Sequence, residues 1–112
     1  LTPVTINSGT NYLDVQISTF AACARTASQE VRCWGQNSSG ELGQPNLNIQ
    51  PLPISVDAAT LYTAITLGGS TTCGTTTTNT LKCWGSKSMG AFADGSSNIF
   101  SLPAKWIEYF NF

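Results

Sequence analysis

Val31-Arg32-Cys33-Trp34-Gly35 returns fifty residues later as Leu81-Lys82-Cys83-Trp84-Gly85. Other positions keep the same offset: Cys23 with Cys73, Gly40 with Gly90, and Tyr12 with Tyr62. Proline keeps it across three copies, at Pro3, Pro53 and Pro103. A fixed period of this length marks a repeat architecture, in which each unit buries its apolar face against the next. The 112 residues read as one domain, 1–112, with repeat one at 1–50, repeat two at 51–100 and the start of a third at 101–112.

Within each repeat the period is that of strands. Leu13, Val15 and Ile17 alternate with Asp14 and Gln16, which predicts a half-buried strand over Tyr12–Ile17. Phe20–Arg25 and Val31–Gly35 flank a polar turn at Thr26–Glu30, and Gln36–Gln50 reads as loop. The second repeat gives strands at Pro51–Val56, Leu61–Leu67, Thr71–Thr75 and Thr80–Gly85. Leu1–Ile6 also reads as a strand, with Pro3 near its end, where a missing N–H is tolerated. No helical period of useful length appears, so the fold class is all-β.

The cysteines follow from the hairpin register. With the turn centred on Ser28, Cys23 faces Cys33; with it centred on Thr78, Cys73 faces Cys83. A directly opposed, non-hydrogen-bonded antiparallel pair has Cα atoms about 4.5 Å apart, within reach of a disulfide. Bonds Cys23–Cys33 and Cys73–Cys83 are therefore expected, with four buried thiols as the alternative. A zinc site is disfavoured because no two cysteines have the close spacing of zinc ligands. Trp34 and Trp84 fall on the opposite face from the cysteines, across from Ala22 and Thr72, and are expected to be core.

Composition narrows the functions. Net charge is −1 and the five basic residues are scattered, so no footprint for nucleic acid and no polybasic membrane patch is present. No apolar run is long enough for a membrane span. Thr, Ser, Asn and Gly dominate the polar residues and four cysteines are present, which points to an extracellular or cell-surface location. The chain begins at Leu1 without a signal peptide, as a processed product or a fragment would. Histidine is absent, and the six carboxylates are isolated in sequence. No general base, nucleophile pair, metal-ligand set or cofactor motif can be nominated, so the chain is expected not to be an enzyme. Asp57 and Asp94 read as turn residues.

Cys33-Trp34-Gly35-Gln36-Asn37-Ser38-Ser39-Gly40-Glu41-Leu42-Gly43 resembles the repeat of the regulator of chromosome condensation family, in the cysteine-bearing variety of secreted and surface proteins. Tyr62–Leu67 followed by Gly68-Gly69, and Thr72-Cys73, resemble the preceding part of that repeat. The departures are Ser18-Thr19 for Gly-Gly, Ala21 and Thr71 for a frequent histidine, Lys87 for the loop asparagine and Ala93 for a glycine. The resemblance implies β-propeller blades of about fifty residues. The family fold has seven such blades, so two cannot close a propeller alone. The family's founding activity, nucleotide exchange on a small nuclear GTPase, is not carried over, because a fold does not by itself carry a function.

The expected function is a non-enzymatic extracellular structural subunit. It would assemble head to tail with copies of itself, because the three prolines show that it begins and ends in the same phase of the repeat. Trp106, Ile107, Tyr109, Phe110 and Phe112 supply apolar area for that contact. The alternative is a piece of a closed seven-bladed propeller that binds another protein. Asn37-Ser38-Ser39 is the sole N-glycosylation sequon, expected on a surface loop; Thr71–Thr80 is a weaker candidate for O-linked sugars.

Overall fold

A computed structural model describes residues 2–44, 46–86 and the backbone of 99–100. The described chain is all-β: β1 (Tyr12–Ile17), β2 (Ala21–Thr26), β3 (Val31–Gly35), β4 (Gln50–Val56), β5 (Tyr62–Gly68), β6 (Thr71–Thr76), β7 (Leu81–Ser86) and β8 (Ile99–Phe100). They form two four-stranded antiparallel sheets, ordered β1-β2-β3-β4 and β5-β6-β7-β8. No helix of the described residues is long and apolar enough to cross a membrane.

The two sheets repeat each other down to their irregularities. Register slips between Tyr12 and Asp14 in one, and between Tyr62 and Ala64 in the other. Both hairpins close the same way: Thr26 Oγ1 accepts from Glu30 N and Thr76 Oγ1 from Thr80 N. Gln29 and Asn79 take the left-handed conformation that these turns need, with φ 70° and 65°. Cys23 lies opposite Cys33 and Cys73 opposite Cys83, each pair with Cα atoms 4.1 Å apart and joined by a disulfide.

The sheets are out of phase with the sequence repeat. β4 lies in repeat two but completes the first sheet, pairing Val56 with Val31 and Ile54 with Cys33. β8 does the same for the second sheet, pairing Phe100 with Gly85. Residues 2–6, which the offset makes equivalent to Leu52–Val56, form no strand, contrary to expectation. Their equivalents pair with a sheet built from the residues before them, and residues 2–6 pair with no strand among the described residues. Residues 101–112, including Trp106, Ile107, Tyr109, Phe110 and Phe112, lie outside the described residues.

The core sits between the sheets. Ala21, Cys23, Val31, Cys33, Leu42 and Val56 of the first unit pack on Tyr62, Ile65 and Trp84 of the second. The back of one sheet thus buries the front of the next, as expected for stacked repeats.

Candidate functional site

The seam between the sheets is organised by the loop after β3. Asn37 is fully buried; its Oδ1 accepts from Leu42 N at 3.0 Å and its Nδ2 donates to Asn46 O at 2.8 Å. These bonds hold Glu41 so that its carbonyl points at the second sheet. That oxygen accepts from Trp84 Nε1 at 3.0 Å and from Thr72 Oγ1 at 2.8 Å. The Glu41 carboxylate turns back to Ser39 N. Gly43 has φ +66°, and a Cβ there would meet Val56 Cγ1 at 2.8 Å and Trp84 Nε1 at 2.9 Å. Only glycine lets the loop lie this close to the indole.

A polar cluster pins the rim of the same seam. Asp57 Oδ2 accepts from Tyr62 OH at 2.7 Å and from Lys82 Nζ at 2.9 Å. Burial pushes the Asp57 carboxyl up, but hydrogen bonds from Lys82, Tyr62 and Thr60, with the Lys82 charge, hold it below its ordinary value. Burial, and then the bond to Asp57 and its negative charge, hold the Tyr62 phenol well above the usual tyrosine range. Across the seam Arg25 donates to Tyr62 O while its guanidinium grips Asp14, and Tyr62 N donates to Gln29 O.

The first sheet carries the same front face with no sheet packed on it among the described residues. Trp84 is fully buried, whereas Trp34 is only partly buried. Ile65 is 6% exposed, and its equivalent Val15 is 50% exposed. Ile17 and Phe20 stand at 72% and 70%. Two open grooves flank Trp34, one of about 320 Å³ lined by Ile6, Leu13, Val15 and Ala24, the other of about 370 Å³ lined by Ile6, Ile17, Phe20 and Ala22. Arg32, equivalent to Lys82, has its Nε buried without a hydrogen-bond partner. The residue in the place of Asp57 is Asn7, which donates to Tyr12 OH at 2.6 Å and offers Arg32 no charge.

The expected site residues fall out as follows. Cys23, Cys33, Cys73 and Cys83 form two disulfides. Trp84 is core and Trp34 is not, a division that identical motifs could not signal. Asn37 is a correction to the sequence reading: it lies in the interior rather than on a surface loop, with its amide committed to Leu42 and Asn46. A glycan on Nδ2 is incompatible with this packing. The Glu41 carbonyl was missed, since main-chain acceptors leave no mark in sequence. Among the described residues no group of three or more His, Cys, Asp or Glu is placed to hold a metal ion.

No family model matches the chain, and no curated protein matches it either. Solved structures do. Human WBSCR16 superposes with a TM-score of 0.81 at 17% identity, over 92% of this chain and 27% of that one. Yeast RCC1 (Prp20), in its crystal structure with Kap60, gives 0.79 at 11% identity, over 89% of this chain and 25% of that one. The structure of Saccharomyces cerevisiae Prp20p, a protein with binding properties to Gsp1p and histones, gives 0.78 at 11% identity, covering 89% of this chain and 26% of that one. The chain therefore spans about a quarter of the length of the structures that it matches. The fold shown is that of two adjacent blades of an RCC1-like β-propeller, not closed into a ring.

Proposed function

We propose that these residues are two consecutive blades of a non-enzymatic, extracellular β-propeller that binds protein. One observation carries the reading. The front face around Trp84 is buried by a neighbouring blade, and among the described residues no blade covers the equivalent face around Trp34. A blade with one bare apolar face is part of a larger assembly. The neighbours support protein as the ligand class: Prp20 was crystallised with Kap60. The two disulfides favour an oxidising compartment. Catalysis lacks a nominated nucleophile or base.

Head-to-tail association of identical chains is the second reading, favoured by the shared phase of Pro3, Pro53 and Pro103. The intact mass of the native polypeptide, with cross-linking mass spectrometry on the same material, tests the first. Further repeats in the polypeptide or cross-links to a different protein support it. A native polypeptide of 11.9 kDa, cross-linked to nothing but itself, overturns it.

A further inference from the structure

We infer that the polar cavity between the two blades, lined by Glu41, is a subsite for an arginine side chain of the partner protein. The inference rests on the protein-binding reading and adds the chemistry of the group that is bound.

The cavity encloses about 300 Å³ where three loops of two blades meet. Thr19 and Phe20 come from the β1–β2 turn, Gln36, Ser38 and Glu41 from the loop after β3, and Ser70 from the β5–β6 turn. That size is at the lower end of ligand pockets and suits one side chain rather than a folded segment.

Glu41 is the charged group in its wall, and it is 5% exposed. Its main chain is fixed by Trp84 and Thr72, and one carboxylate oxygen accepts from Ser39 N at 2.9 Å. The other carboxylate oxygen has no hydrogen-bond or ion-pair partner among the described residues. The seam does not require this carboxylate. It uses the Glu41 carbonyl, which any residue supplies, and Ala91 stands at the equivalent position of the second repeat. A carboxylate withdrawn from water with a single neutral hydrogen bond is costly, and a cationic donor offsets that cost. No cation lines the cavity among the described residues.

The rest of the wall selects among cations. The side chains of Thr19, Gln36, Ser38 and Ser70 make no hydrogen bond among the described residues, so their oxygens are available as acceptors. A guanidinium brings five donors in a plane and is weakly hydrated. A lysine ammonium brings three and gives up more hydration on burial. Phe20 adds an aromatic wall on which a guanidinium can stack. A sugar would use the same hydroxyl-rich lining but would leave the carboxylate charge uncompensated. Because the loop already holds Glu41 in place, little ordering remains to oppose binding.

A titration of the isotope-labelled full chain with Nα-acetyl-arginine amide, followed by NMR, tests this. Saturable shifts should be confined to the amides of residues 18–20, 36–41 and 69–70. The citrulline analogue, which has the same shape without the charge, should bind about tenfold more weakly or worse, and the lysine analogue should also bind more weakly. Glu41→Gln keeps an acceptor for Ser39 N and should weaken arginine binding about tenfold while the thermal melt stays near the parent's. Should that variant not fold, Thr19→Arg at the exposed rim should fill the cavity from within and abolish binding of the probe. The absence of saturable shifts, equal binding of citrulline, or unchanged binding by either variant overturns the inference. Tighter binding of the lysine analogue or of a methyl glycoside overturns the assignment to arginine. These readouts use the isolated chain, whereas the propeller reading stands or falls on the native mass and its cross-links, so either can fail without the other.

Discussion

The indole Nε1 of Trp84 lies 3.0 Å from the carbonyl oxygen of Glu41, a residue of the neighbouring blade's loop. Thr72 Oγ1 reaches the same oxygen, so the carbonyl has two donors in a buried seam. Trp84→Phe keeps most of the apolar area and leaves Thr72 in place; it should cost about 1 kcal/mol, the worth of one hydrogen bond. Trp84→Ala opens a cavity as well and should cost about 3–5 kcal/mol. Urea unfolding of both variants checks the ranking. Equal losses would mean that the indole N–H, not ring packing, dominates.

Gly43→Ala tests how closely the loop must approach. The added methyl would overlap Val56 and Trp84, and φ +66° is unfavourable for alanine. Overpacking and backbone strain together predict a loss of about 2–4 kcal/mol. Gly9 is the control: its φ is +89° but nothing lies within 4 Å, so Gly9→Ala should cost only the backbone part, about 1–2 kcal/mol. Thermal melts of the two variants supply the comparison.

The disulfides should differ in their response to reductant. Cys23 and Cys33 are fully buried in the seam, whereas Cys73 is partly exposed. Thiolate attack needs access to a sulfur. Limited reduction followed by alkylation and peptide mapping should label Cys73 and Cys83 before Cys23 and Cys33. Breaking the buried bond should then cost the fold more, about 2–3 kcal/mol for a loop of this length.

Much of the fold was legible because two local patterns agreed. The alternation at Leu13, Val15 and Ile17 set a strand, and the position of Cys33 opposite Cys23 set the hairpin register, which the structure reproduces. Propagating that by fifty residues gave the second sheet. Three things were not legible. Pro51–Val56 was readable as a strand, but which sheet it would join is a matter of topology. Trp34 and Trp84 sit in the same motif and differ only in what lies on top of them. Asp57 read as a turn residue, which its φ of 50° supports, yet its bonds to Tyr62 and Lys82 depend on side chains that strand pairing brings together.

Asp57 should make stability depend on acid. Its folded pKa lies below its ordinary value of 3.8, so the ionised form binds its partners better than in the unfolded chain. The stabilisation is present above about pH 4 and is lost as pH falls through the folded value. Asp57→Asn, the residue already present at the equivalent position 7, should be less stable than the parent near neutral pH. The gap should narrow as pH falls below the ordinary value of 3.8 and close as it passes the folded value, where the parent's carboxyl protonates. Urea midpoints of both proteins across this range give the test; a gap independent of pH would assign the loss to packing.

Asn37 is the sharpest case of a motif whose structural and chemical readings compete. Asn37-Ser38-Ser39 satisfies the glycosylation rule, but a sequon is a statement about three side chains and not about burial. The Asn37 amide is used twice, accepting from Leu42 N and donating to Asn46 O, and the side chain has no exposed surface. Both partners are main-chain groups of the loop that aims Glu41 at Trp84, so the amide supports the seam from one layer behind it. Asn37→Ala leaves a buried N–H and a carbonyl unpaired and should cost about 2–4 kcal/mol. Asn37→Asp keeps the acceptor for Leu42 but replaces the donor with a second carboxylate oxygen facing Asn46 O, so it should rescue little. Ser39→Ala destroys the sequon and spares the amide, so it should leave stability within about 0.5 kcal/mol of the parent. If native material carries no glycan on Asn37 and only the asparagine variants lose stability, the residue is retained for the loop. A glycopeptide at Asn37 from folded native protein would show instead that this loop opens.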